Sequence, residues 1–286
     1  MIAYTSNVRG TPVAGAARFL VVLVVLMTLS AGIAVAAPQA ELWPRWEAHD
    51  PASEQRIDHT DWGAFMDRYL VTDHSSGVNR VRYAEVSDRD RELLNDYVAY
   101  LEGVAVSGLN RDEQLAYWLN LYNAATVQLI LKDYPVDSIR DIKPNFFASG
   151  PWDMEILEVE GVAMTLNDVE HRIIRPIWQD PRIHYVVNCA SYGCPNLYPE
   201  PLTADNWDDV FDESARDYAN HPRGVRFDDD TLVLSSIYDW YQEDFGSSLE
   251  GVIEHLVQYV DEETAGRLRG HSGSTRYEYD WSLNEP

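Results

Sequence analysis

The sequence predicts an α+β fold, a small and mainly antiparallel central sheet packed with several helices. Two kinds of segment predict it. Apolar residues recur at helical spacing in several long runs, and short apolar segments pair across turn residues as hairpins. Hydrophobic residues make up 45% of the 286 positions and aromatics 12%, enough for a substantial core. Three regions are expected: residues 1–36 as a signal peptide, 37–76 as an N-terminal extension with one helix, and 77–286 as the globular domain.

The elements follow in order. Arg9 and Arg18 are the only charged side chains before Glu41, and an apolar run from Phe19 to Val35 ends in Ala34-Val35-Ala36. That order of positive, apolar and A-x-A segments is a secretory signal. The run approaches the ~20 residues of a spanning helix, so a retained anchor is the other reading. No Cys lies near the cleavage site, which excludes a lipoprotein. Trp62, Phe65, Met66 and Tyr69 mark a helix over Trp62–Leu70, and Val78–Tyr83 reads as a short strand. Leu93, Leu94, Tyr97 and Leu101 give a helix over Arg89–Glu102. The strongest helix runs from Arg111 to Asp133, with Asn110 as N-cap and Glu113 completing a capping box. Its apolar positions are too many for one stripe, so it is buried on several sides. Ile156–Val159 and Val162–Met164 form a hairpin around Gly161. Thr165 caps a helix that reaches Trp178 and stops before Pro181. Ile183–Cys189 reads as a buried strand leading into the loop Ala190–Pro199. Trp207–Asn220 is an amphipathic helix, and Val225–Phe227 with Leu232–Leu234 flank a turn at Asp228-Asp229-Asp230. Ile237–Phe245 and Leu249–Val260 are further helices, and Tyr277–Trp281 ends the fold as a strand.

The formal net charge is −25, and loss of Arg9 and Arg18 with the signal makes it −27. Nucleic acid is excluded as a partner, because binding it needs cationic neutralisation of phosphate. An anionic membrane surface is disfavoured for the same reason. No stable membrane span is expected after signal cleavage. The expected location is periplasmic or secreted, and the expected partner is a protein or a peptide-like molecule. The scarcity of Lys, at Lys132 and Lys143 only, is a matter of solubility and not of function.

Several ordered strings resemble the DUF547 family: Leu115-Ala116-Tyr117-Trp118-Leu119-Asn120-Leu121-Tyr122-Asn123-Ala124, Thr165-Leu166-Asn167-Asp168-Val169-Glu170-His171, and Pro181-Arg182-Ile183-His184 continuing to Asn188-Cys189-Ala190-Ser191-Tyr192-Gly193-Cys194-Pro195. Ser235 to Tyr241 with Asp244-Phe245, and Tyr279 to Asn284, extend the resemblance, which spans about Val78 to Asn284. It implies a fold unit exported in many bacteria and joined to other modules in plants. It brings no catalytic assignment. The Cys-x4-Cys-Pro form resembles the bacterial version, whereas plant relatives often lack one or both thiols.

The chemistry-bearing residues gather around Cys189, at the mouth of the Gly- and Pro-containing loop. One expectation is a thiol-dependent hydrolase or acyl transferase acting on a peptide-like or amide substrate. Cys189 is then the nucleophile, His171 or His184 the base, and Glu113 or Glu170 the orienting acid. Backbone N–H groups of the Ala190–Gly193 turn hold the oxyanion. On a strand, His184 and Cys189 face opposite sides, and Glu170 and His171, adjacent on a helix, diverge. The other expectation is a non-catalytic binding or assembly module with structural cysteines. Asn120 and Asn123 then line a polar cleft or tie down a loop, and Arg182 pairs with a carboxylate. Cys194 pairs with Cys189 in a local disulfide or serves as a binding residue. His171, His184, Cys189 and Cys194 have the chemistry of zinc ligands, but Cys-x4-Cys is at the edge of the usual spacing and no second Cys pair exists. Neither a metal nor a cofactor is expected. The spacing is also not the C-x-x-C associated with lowered thiol pKa.

Overall fold

The computed structural model describes residues 38–286, which belong to one compact unit. The signal segment expected over 1–36 lies outside the described residues. The elements are α1 (Thr60–Tyr69), β1 (Leu70–Val71), β2 (Arg80–Val81), α2 (Asp88–Glu102), α3 (Arg111–Asp133), β3 (Leu157–Val159) and β4 (Val162–Met164). A π-helical segment (Asp168–Ile174) then runs into α4 (Arg175–Trp178), followed by a 3-10 helix (Pro181–Tyr185). After these come α5 (Trp207–Asn220), β5 (Val225–Asp228), β6 (Thr231–Ser235), α6 (Ile237–Trp240), α7 (Leu249–Leu256), α8 (Glu262–Arg269) and β7 (Thr275–Glu278). No helix among the described residues is long and apolar enough to cross a membrane.

The α+β class is therefore what the chain adopts, with its strands in three small sheets: β1–β2, β3–β4 and β5–β6–β7. The first two are antiparallel pairs; in the third, β5 and β6 are antiparallel and β6 pairs in parallel with β7. The middle of the molecule is a helix. Asn110 accepts a hydrogen bond from the Glu113 N–H at 3.0 Å and opens α3, as the capping signal predicts. Leu115, Trp118, Leu119, Tyr122 and Ile130 are all buried, and so are most residues between them, because α3 is covered on every side. Residues 38–76 supply Trp46, Trp62, Phe65 and Met66 to the same core, so this stretch packs as a layer of the domain. Trp46 meets Trp118 edge-to-face at 5.2 Å.

Two local departures from the sequence reading shape the site. Ile183–Cys189 is not a strand. Asp180 caps the Arg182 N–H at 2.9 Å with Pro181 in the first turn, and this pair starts a 3-10 helix. The apolar run looks strand-like because the segment is buried on all sides, which removes periodicity as a guide. The helix expected from Thr165 to Trp178 does form, and Thr165 and Asp168 exchange hydrogen bonds at 3.0 Å. Its centre, however, is π-helical. Pro176 has no N–H to donate and crowds the preceding turn. The Arg175 N–H bonds Glu170 O instead, one residue further back than in an α-helix. The carbonyls of His171 and Arg172, which lack a donor at Pro176, accept from the N–H groups of Glu41 and Trp43, each at 2.9 Å. The chain before α1 thus completes the helix that carries Glu170, His171 and Arg175. The helices expected over Ile237–Phe245 and Leu249–Val260 are shorter, ending at Trp240 and Leu256.

Candidate functional site

Two adjoining groups of side chains collect the chemistry. The first is a buried network on the π-helical segment. Glu170, His171, Arg175 and His184 are each no more than 5% exposed. The Arg175 guanidinium donates to Asp244 and Glu243 at 2.7 Å each, to Pro38 O at 2.7 Å and to His171 Nδ1 at 3.0 Å. A guanidinium only donates, so His171 Nδ1 accepts and the neutral ring carries its proton on Nε2. Burial, opposed by the Glu170 charge, holds the His171 pKa below its ordinary value. His184 Nε2 lies 2.6 Å from Asp244 Oδ2, and its ring stacks on Tyr241 with centroids 3.9 Å apart. The Glu170 carboxylate accepts from Tyr122 OH at 3.1 Å and stands 3.9 Å from His171 Nδ1 and 4.0 Å from His184 Nδ1. Burial pushes its pKa up, but the neighbouring His171, His184 and Arg175 and the Tyr241 hydroxyl outweigh that and hold it below the usual range.

The second group surrounds Cys189, whose residue is half-buried while Cys194 is buried; both are free thiols. Cys189 Sγ lies 3.2 Å from Cys194 Sγ, 3.2 Å from Ser191 Oγ and 3.1 Å from Tyr279 OH. These groups stabilise a thiolate: the Cys194 thiol foremost, against the cost of burial, then Ser191, Tyr279 and the Ser191 N–H, and the Cys189 pKa falls to about 7. The Cys194 thiol moves the other way, pushed up by burial and by the neighbouring Cys189. The lowered pKa thus arises without C-x-x-C spacing. It comes from a folded loop in which Ala190 adopts φ +58°, a left-handed conformation uncommon for a residue with a side chain.

That loop is held by a distant stretch of chain. Tyr192 N–H bonds Ser282 O at 2.7 Å, Gly193 N–H bonds Asp280 O at 2.8 Å, and Asn284 N–H bonds Ala190 O at 3.1 Å. At Gly193 a Cβ would sit 2.8 Å from Asp280 N and 2.9 Å from Asp280 O, both backbone atoms. Gly193→Ala is expected to destabilise the protein by about 1–3 kcal/mol in urea unfolding, as overpacking does. An unchanged midpoint would show that the strap at Asp280 yields freely.

The remaining expected residues sort plainly. Glu113 binds the Ile57 N–H at 2.6 Å and Arg56 at 3.5 Å, and takes no part in either group. Asp244, not Glu113 or Glu170, is the acid hydrogen-bonded to a histidine. Asn120 clamps both backbone groups of Leu202, at 2.8 and 3.1 Å. Asn123 bonds Val186 O and Asn188 N–H, each at 2.9 Å, so both amides tie down loops. Arg182 forms ion pairs with Asp180, Asp208 and Asp212 at 2.7–2.8 Å. The thiol of Cys189 makes no hydrogen bond to an imidazole among the described residues. The oxyanion expectation also meets an obstacle, because three of the turn's four N–H groups are already engaged: Ala190 with Asn188 Oδ1, and Tyr192 and Gly193 with the strap. Arg175, Tyr241, Asp244, Ser191 and Tyr279 are the site residues that sequence reasoning did not single out. All but Arg175 lie within the strings that carry the family resemblance.

The fold and these two groups define an α+β domain with a paired-thiol loop beside a buried histidine–carboxylate network. Residues 106–219 match the family described as "Protein of unknown function, DUF547", the family that the sequence strings resemble. The matched span includes both cysteines, Glu170 and both network histidines, but neither Asp244 nor Tyr279. No curated protein and no solved structure matches the chain.

Proposed function

We propose that the domain is a thiol-dependent enzyme in which Cys189 is the nucleophile and Cys194 the resolving thiol, exchanging disulfides with a peptide-like substrate. One observation carries this reading: two free thiols 3.2 Å apart with opposite pKa shifts, the more exposed one lowered to about 7. A thiol that ionises near ambient pH combines a large thiolate fraction with high intrinsic nucleophilicity. The Cys189 thiolate attacks one sulfur of the substrate disulfide and expels the other as a thiolate, which takes a proton from water. Cys194 then attacks the Cys189 sulfur, expels the first substrate sulfur and passes its own proton to it. The substrate gains two electrons and leaves as two thiols; the cysteine pair is left as a disulfide, and the reverse sequence oxidises a dithiol. Acyl transfer draws less support, for want of an imidazole bonded to the thiol and of a pair of free N–H donors in the turn. Export through residues 1–36 belongs to the same proposal and places the pair where disulfide exchange has substrates.

Alkylation and mass spectrometry test it. Iodoacetamide is expected to modify Cys189 with a pH midpoint near 7. Glutathione disulfide is expected to convert the wild type to the internal disulfide and to leave a mixed disulfide on Cys194→Ser. A Cys189 that reacts no faster than a free model thiol, with no adduct on Cys194→Ser, would overturn the reading.

A further inference from the structure

Beside the thiol loop lies a pocket of about 570 Å³, lined by Tyr192, Gly193, Arg223, Arg226, Glu278, Tyr279, Asp280 and Trp281. Its size is that of a small-ligand site. It reaches the reactive thiol through Tyr279, which lines the pocket and whose hydroxyl stands 3.1 Å from Cys189 Sγ. The charges around it are not equivalent. Arg226 is paired with Glu278 at 2.5 Å and with Asp228 at 3.5 Å. Asp280 Oδ1 is taken by the N–H and hydroxyl of Ser282 at 2.9 and 2.7 Å. Arg223 forms no ion pair among the described residues. Its terminal nitrogens donate to uncharged oxygens, Tyr192 O at 3.2 Å and Asn196 Oδ1 at 2.7 Å, and its Nε–H is buried without a partner. Its guanidinium lies over an aromatic face, 5.2 Å from the Tyr218 ring centroid. A cation that lines the pocket and touches no carboxylate among the described residues is a charge that an anion in the pocket would balance. The walls are aromatic: Tyr279 and Trp281 have ring centroids 4.6 Å apart, and Trp240 stacks behind Trp281 at 5.5 Å.

We propose that this pocket binds a carboxylate of the peptide-like substrate, with Arg223 as the anchoring cation and Tyr192, Tyr279 and Trp281 as its walls. The inference rests on the assignment of Cys189 as nucleophile for the identity of the ligand as substrate. It makes the enzyme selective for disulfides of anionic peptides over neutral ones.

The test uses S-methylglutathione, a tripeptide with two carboxylates and no free thiol, titrated by calorimetry into the whole protein. Wild type and Cys189→Ser are expected to bind it alike. The same peptide with both carboxylates amidated, and the acid peptide with Arg223→Gln, are each expected to bind about tenfold or more weakly, as loss of a charge-assisted hydrogen bond implies. The amidated peptide needs no variant, so the outcome does not depend on Arg223→Gln folding. Equal affinity for the acid and the amide, or no binding of either, overturns the carboxylate subsite. Carboxylate-selective binding alongside a Cys189 inert to glutathione disulfide would instead keep the subsite and remove the thiol chemistry.

Discussion

Replacing Arg175 by Met is expected to cost about 3 kcal/mol of stability, the scale for removing one partner of a buried ion pair. The side chain is only 1% exposed and has no route to water, while its partners stay behind. Asp244, 22% exposed at its side chain, keeps only His184, and Glu170 loses a nearby positive charge in a buried site. Glu243, 44% exposed, returns to solvent and adds little. The chain before α1 also loses its anchor at Pro38 O. Urea unfolding at neutral pH reads the change. The double variant Arg175→Met, Asp244→Asn is expected to cost less than the two single changes together, since it removes the orphaned charge with its partner. A wild-type midpoint for Arg175→Met would show that the network is slack.

Acid is expected to unfold the protein well before its carboxylates are protonated. Burial lowers the pKa of His59 and of His255 to about 4. Both rings are held by tyrosine hydroxyls, His59 by Tyr97 at 2.6 Å and His255 by Tyr185 at 2.9 Å. In the unfolded chain each takes a proton near pH 6.5, whereas the folded protein resists until about pH 4. Between those values the unfolded state binds more protons, so stability falls as pH falls. Each pKa unit is worth about 1.4 kcal/mol, which gives on the order of 3 kcal/mol for each histidine across the window. His171, also lowered by burial, adds in the same direction. Asp244, whose burial is outweighed by His184 and Arg175 and whose pKa is about 2, contributes a second loss below pH 4. Urea midpoints from pH 7.5 down to pH 4.5 should drop steeply, and His255→Gln should flatten the curve. A flat profile over that range would show that the rings are protonated in the folded state.

Much of the fold was legible because its signals are local. The Asn110 cap at the start of α3, the turn at Asp228–Asp230 and the Thr165–Asp168 cap each act within a few residues, whereas the Glu113 side chain leaves the expected capping box open and binds the Ile57 N–H instead. The segment Ile183–Cys189 misled for the opposite reason: complete burial erases alternation, and the Asp180-Pro181 helix start outweighs a β-branched run. The π-helical turn was also partly readable, since Pro176 sits inside a helical pattern. What repairs it, the N–H groups of Glu41 and Trp43, lies some 130 residues away in sequence, a pairing no local rule supplies. Cysteine and histidine were visible as reactive types, but their association was not. His171 and His184 meet around Glu170, while the partners of Cys189 are two hydroxyls and a thiol. Tyr279, 90 positions from Cys189, is brought in by the fold alone.

The strap from Asp280 to Asn284 has a consequence for how the protein is made. Cys189 and Cys194 leave the ribosome long before Tyr279, and the loop cannot take its final shape until the strap has been synthesised. A partly translated chain therefore carries the two thiols without the Tyr279 hydroxyl that completes their surroundings. The Tyr279 contact, which ranks behind Cys194 and Ser191 among the groups that lower the Cys189 pKa, arrives only with the completed fold, and a protease that cut just before Tyr279 would remove it together with the strap.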